Sequence, residues 1–130
     1  MNPASIFEQI RRLRDPEDGC PWDREQTLEG YGTCVLGEAE ELAEALASGD
    51  LEQVREEAGD LLWNLCFVVH LAEERGAFAG ADVVRDVVAK MKRRHPHVYG
   101  DVSAATPEEA LAAFRAAKAE EKRRAAEDET

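Results

Sequence analysis

Glu38 and Glu41, and again Glu57 and Asp60, are acidic pairs three residues apart within LGEAEELAEALASGDLEQVREEAGDLL, residues 36–62. On a helix such a pair lies on one face, a turn apart. The intervening ASGD reads as a turn, and two helices joined by so short a connection fold back antiparallel as an αα-hairpin. That arrangement brings four carboxylates to one place. At about 100° per residue, Val35, Ala39, Leu42 and Leu46 form an apolar stripe on the first helix, and Val54, Ala58, Leu61 and Leu65 form one on the second. Each acidic pair flanks its stripe on the matching side, away from the fully solvated face. Clustered carboxylates repel, and a hard divalent cation with oxygen ligands is the simplest group to hold them: Mg²⁺, with Mn²⁺ as the other candidate. The competing reading is a solvated acidic face.

Other chemistries find little support. There is no Gly-rich phosphate loop and no GxSxG, and Ser5, Ser48 and Ser103 have no evident base beside them. A di-iron bundle would carry Glu-x-x-His on its helices, and no histidine here stands three residues after a glutamate. Hard cations in an acidic protein suit phosphate chemistry, because they neutralise the substrate and acidify water. Lys90 and Arg94, four residues apart, offer a grip on a phosphate chain, and Phe114 and Lys118, also four apart, offer an aromatic surface with a cation beside it. The basic run KMKRRH, residues 90–95, would equally complement the C-terminal end of a helix dipole. Trp22 packs either into the core or against a ligand. Asn64 lies one turn beyond Asp60, placed to bond a ligand or to brace Asp60 itself. His70, in an apolar run, reads as a core histidine. His95 and His97 are separated by Pro96 with no cysteine nearby, which argues against chelation.

The elements that must position these residues are helical. The chain of 130 residues is 44% hydrophobic, 6% aromatic and 34% charged, and glycine and proline cluster at a few breaks. Such composition predicts one all-α domain with a modest core, spanning 1–130, its last ten or so residues frayed. Helices are expected over 3–14, 27–47 with an irregular start near Gly30, 51–75 with Asp50 as N-cap and Gly76 as stop, and 80–94. A last helix is opened by Thr106, Pro107 and Glu109. The stretch 15–27, with two prolines and no periodicity, is expected as a loop. LLWNLCFVVHLA, residues 61–72, is apolar nearly all round, so Trp63 and Phe67 are expected to face a partner subunit in a homodimer or a dimer of dimers. A net charge of −12 disfavours a nucleic-acid polymer as partner. Three cysteines without a CxxC suggest neither a disulfide framework nor zinc. With no signal-like N-terminus and no run near the ~20 apolar residues of a membrane span, no membrane partner and a cytoplasmic location are expected.

CPWDREQTL, then GEAEEL, EEAGDLL and KMKRRHPHVYG in that order, resemble the MazG-type nucleoside triphosphate pyrophosphohydrolases, over roughly residues 5 to 122. The resemblance implies the all-α NTP-pyrophosphatase bundle, a dimer through its central helices, and Mg²⁺-dependent cleavage of nucleoside triphosphates to monophosphate and pyrophosphate, suited to cleaning nucleotide pools. It implies Glu38, Glu41, Glu57 and Asp60 as metal ligands, Lys90 and Arg94 as the nucleotide-binding pair, and Phe114 and Lys118 where the family tends to have Trp and Lys. Gly37, Glu40 and Phe114 depart from the common pattern and bear on base preference. The rival class is a catalytically silent helical dimer that binds a protein partner.

Overall fold

In a computed structural model, described for residues 1–129, the chain is helical with no strands among the described residues. The helices are α1 (Ala4–Leu13), α2 (Pro21–Glu25), α3 (Gly32–Ser48), α4 (Leu51–Glu74), α5 (Gly80–Arg93), α6 (Pro96–Tyr99) and α7 (Pro107–Asp128). They divide into two compact units, Met1–Gly80 and Ala81–Thr130.

The first unit is built on the α3–α4 hairpin. Gly49, at φ 75°, ends α3 in the left-handed conformation that a side chain resists. Asp50 then caps α4, its carboxylate accepting from the N–H groups of Glu52 and Gln53 at 3.0 and 3.4 Å. This two-residue connection forces the antiparallel return that the sequence predicts. At the other end of α4, Gly76 takes φ 69° and stops the helix. The core lies against the second half of α4. Ile10 of α1, Tyr31 at the entry to α3, and Cys66, Phe67 and Leu71 of α4 are buried together, with Leu28, Val35, Leu62 and Trp63 packed around them.

The first unit departs from expectation in three places. Phe67 is 0% exposed and stacks on Tyr31 with ring centroids 4.6 Å apart, and Trp63 is half-buried against the same cluster. Neither is an outward face awaiting a partner, because α1 and the segment leading into α3 cover that side. Leu46 and Leu65, assigned from periodicity to the inner stripes, are instead 61 and 49% exposed. The stretch 15–27 also holds a short helix, α2, where only a loop is expected. Pro21 supplies its first turn. Arg14 holds its end: Nη1 donates to the carbonyls of Asp23 and Gln26, while Nε and Nη2 donate to the Glu74 carboxylate. The Arg14 guanidinium also lies 5.8 Å above the Phe67 ring.

In the second unit α6 packs on α7. Thr106 Oγ1 accepts from the Glu109 N–H at 3.2 Å and Glu109 Oε2 accepts from the Ala105 N–H at 2.8 Å, so the opening of α7 is capped from both directions. The segment beyond residue 120, expected to fray, is helical to Asp128, with Arg123 bonded to Glu120 and Glu127 on its own helix. No helix among the described residues is long and apolar enough to cross a membrane.

Candidate metal centre

Each carboxylate of Glu38, Glu41, Glu57 and Asp60 offers one oxygen, and these oxygens lie within 4.8 Å of one another. The hairpin thus brings together all four residues singled out from their spacing. Glu38 and Glu57 are half-buried, Glu41 and Asp60 exposed. Among the described residues the group includes no histidine or cysteine, so its donors are all oxygen, the chemistry of Mg²⁺ and Mn²⁺ rather than of zinc.

The electrostatics fit a cation. Glu38 Oε2 and Glu57 Oε2 are buried without any hydrogen-bond partner, a costly state for a carboxylate oxygen unless a cation meets it. Burial first, then the charges of Glu41 and Asp60, pushes the Glu38 carboxyl above the ordinary range. Burial, then a hydrogen bond with Glu41 and the charges of Glu41, Asp60 and Glu56, pushes Glu57 up to about 7. Four acidic side chains crowd here, two of them with a buried oxygen left unpartnered, and the residues present suit a bound divalent ion.

The sequence reading passed over two neighbours of this group. A cleft of about 530 Å³ is lined by Glu41, Glu44, Ala45, Ser48, Gln53, Glu56 and Glu57. Glu44 stands three residues after Glu41, a repeat of the same i, i+3 spacing that could have flagged it. Glu56 has no such signal, since it becomes a neighbour only through the hairpin.

One turn along both helices from the carboxylates, Asn64 is buried at 6% exposure. Its Oδ1 accepts from the Tyr31 hydroxyl at 3.1 Å, and its Nδ2 donates to the Cys34 carbonyl at 2.9 Å. Burial, with the charges of Cys34, Asp23 and Glu38, pushes the Tyr31 hydroxyl up to about 12, so it stays a donor. Trp22 is 54% exposed, which removes core packing from its two readings.

The remaining candidates lie in the second unit. Arg94 is paired with Glu121 at 2.9 Å and sits 5.8 Å above the Phe114 ring, and Arg93 shares the same carboxylate. His95 meets Phe114 edge-on, with centroids 5.4 Å apart. A cleft of about 500 Å³ is lined by His95, His97, Pro107, Ala110, Leu111 and Phe114. Lys90 is half-buried and Lys118 exposed. The unit therefore brings Arg94 and Phe114 together, and the guanidinium already has an acidic partner.

The family model of the MazG nucleotide pyrophosphohydrolase domain matches residues 26–99, running across the boundary between the two units. The chain is similar to the nucleoside triphosphate pyrophosphohydrolase of Escherichia coli K12, 42% identical over 113 residues covering 87% of this chain and 43% of that one. It is also similar to the nucleoside triphosphate pyrophosphohydrolase/pyrophosphatase MazG of Thermotoga maritima, 43% identical over 106 residues covering 78% of this chain and 41% of that one. It thus spans less than half the length of these curated relatives. Among solved structures, a mazG-related protein from Thermotoga maritima superposes with a TM-score of 0.69 at 29% identity, covering 88% of this chain and 96% of that one. With the helical hairpin, its four converging carboxylates and a family match over more than half its length, the chain belongs to the MazG nucleotide pyrophosphohydrolase domain family.

Proposed function

We propose that this chain, with 1–130 working as one domain, hydrolyses nucleoside triphosphates between the α and β phosphates, releasing nucleoside monophosphate and pyrophosphate, in a Mg²⁺-dependent reaction that Mn²⁺ also supports. The observation that carries this reading is the convergence of Glu38, Glu41, Glu57 and Asp60 on one point, with two buried oxygens left unpartnered. Family membership supports it. A divalent ion bound there supplies charge neutralisation for the triphosphate and activation of water.

The chain's own residues do the rest by positioning and by charge. Glu38 and Asp60 present oxygens from facing helices. Glu41 and Glu57 add their oxygens to the same point from across the hairpin. Lys90 and Arg94 take phosphate oxygens; for Arg94 this means leaving Glu121 or sharing its guanidinium with it. Phe114 and Lys118 serve as contacts for the nucleoside, and exposed Trp22 offers a further stacking surface. The working assembly is a homodimer or a dimer of dimers in the cytoplasm, and the role is the clearing of unwanted nucleotides.

The test is pyrophosphate release from a panel of nucleoside triphosphates, with and without Mg²⁺, in the parent and in Asp60→Asn. Mg²⁺-dependent release that the substitution abolishes is the expected result. Absence of release from every nucleotide by Mg²⁺-loaded parent would sink the proposal and favour the silent helical dimer.

A further inference from the structure

The four carboxylates come from two helices, so their convergence depends on how far α3 is slid and rotated against α4. A register error of one residue rotates a helix face by about 100° and would part the pairs. Apolar contacts between such helices are broad and tolerant, and fix register poorly. A directional polar contact fixes it well.

The first unit holds one such contact at the right place. Asn64 is four residues, one turn, beyond Asp60 on α4. Cys34 is one turn before Glu38 on α3. Asn64 Nδ2 donates to the Cys34 carbonyl at 2.9 Å, and Asn64 Oδ1 accepts from the Tyr31 hydroxyl at 3.1 Å. The amide orientation follows from chemistry, because a carbonyl can only accept, so the nitrogen must face Cys34. Tyr31 is itself fixed, 2% exposed and stacked on Phe67 with planes 6° apart. Phe67 belongs to α4, so Tyr31 is held by α4 at both its ring and its hydroxyl. The Asn64 amide is also 6% exposed, which leaves it poorly placed to meet a substrate.

We infer that Asn64, Tyr31 and the Cys34 carbonyl form a polar lock between α3 and α4 that sets the register of the metal-binding carboxylates, making Asn64 and Tyr31 positioning residues rather than substrate contacts. The inference rests on the metal-centre reading above. It is specific about consequence: loosening the lock spreads the carboxylate oxygens and weakens cation binding before any nucleotide is present.

The test is a Mg²⁺ titration without nucleotide, read as the rise in melting temperature, in the parent, Asp60→Asn, Tyr31→Phe and Asn64→Ala. Tyr31→Phe keeps the ring stack and removes only the hydroxyl, so it reports on the lock even if Asn64→Ala folds poorly. Residues that orient metal ligands typically change affinity by about 10- to 100-fold when removed. The half-saturating Mg²⁺ should rise toward the lower end of that range in Tyr31→Phe and further in Asn64→Ala, and the double variant should match Asn64→Ala alone. A parental half-saturation in both variants, with melting temperature lowered equally at every Mg²⁺ level, would overturn the lock and leave a merely structural contact. A parental Mg²⁺ response with only the nucleotide KM raised would overturn it in favour of substrate contact. If parent and Asp60→Asn alike ignore Mg²⁺, the metal-centre reading itself has failed and the lock has no task.

Discussion

Asp60→Asn keeps the shape of the side chain while removing one charge from four. Turnover should fall by orders of magnitude and the Mg²⁺-induced rise in melting temperature should vanish. The metal-free protein should melt higher than the parent, because one repelling carboxylate is gone. An exposed acid on a solvated face would show none of these effects, so the three measurements together test the assignment of Asp60. The pH dependence belongs to the same residues. Glu57 moves from an ordinary 4.5 to about 7, and Glu38 moves the same way, so the folded metal-free chain holds protons that the unfolded chain releases. That contribution to stability is complete below about pH 4.5 and is lost as pH rises through about 7. Cation binding needs the ionised carboxylates, so Mg²⁺ affinity should climb over the same interval. Melting curves at pH 5.5 and 8 should show the metal-free protein losing stability from this site on going up, and Mg²⁺ restoring it. The opposite trend without metal would mean that these carboxylates ionise apart from one another. Glu74 behaves in the other sense: Arg14 holds it below its usual range, and its contribution is lost as pH falls.

At the scale of elements, the hairpin turn and the core carry separate loads. Asp50→Ala removes the cap of α4 and should cost about 1 kcal/mol, as N-cap truncations typically do; chemical denaturation would show a lowered midpoint with an unchanged slope. Phe67→Ala should cost about 3–5 kcal/mol, since the side chain is fully buried between Tyr31 and the Arg14 guanidinium. If Phe67 instead lined a subunit boundary, its truncation would change association far more than protomer stability. In the second unit Lys90→Ala and Arg94→Ala should each weaken nucleotide binding by about 1.5–3 kcal/mol, the usual worth of a charged hydrogen bond. The two should differ in stability. Among the described residues Lys90 has no acidic partner at ion-pair distance, whereas Arg94, just beyond α5, pairs with Glu121 of α7, so only Arg94→Ala should also lower the melting temperature. Calorimetric nucleotide titration alongside thermal melting separates these effects.

At the scale of the whole molecule, exposed aliphatic side chains bear on assembly. On α5, Val83, Val84, Val87 and Val88 are 39, 62, 45 and 48% exposed, and Leu46 of α3 and Leu65 of α4 are 61 and 49% exposed. A single copy leaves this much aliphatic surface in water, which favours burial against another copy. Sedimentation at micromolar concentration should find a dimer or a tetramer, and a stable monomer would refute the assembly. Placing an aspartate at Val84 or Val88 should then dissociate it, whereas the same change at exposed Ala112 should not.

The sequence by itself determined the helical class, the hairpin, its Asp50 cap and the identity of the four converging acids. Each follows from local rules: periodicity, a turn too short for any path but reversal, a cap side chain bonding two residues on, and i, i+3 spacing on one face. The resemblance of CPWDREQTL and KMKRRHPHVYG to one family was likewise present in the residues alone. What only the tertiary structure decided depends on which face another element covers. A run apolar all round offers no periodicity to say which side is inward, so Phe67 and Trp63 were legible as hydrophobic but not as core. Their burial is set by α1 and Tyr31, more than thirty residues away along the chain. Asn64 was legible as a polar residue set in that apolar run, yet its partners Tyr31 and Cys34 come from α3 and the turn before it. Arg14 gave no signal at all, because its work is to join α1, α2 and the end of α4. Glu56 escaped for the same reason, since only the closing of the hairpin brings it to the cleft beside Glu41.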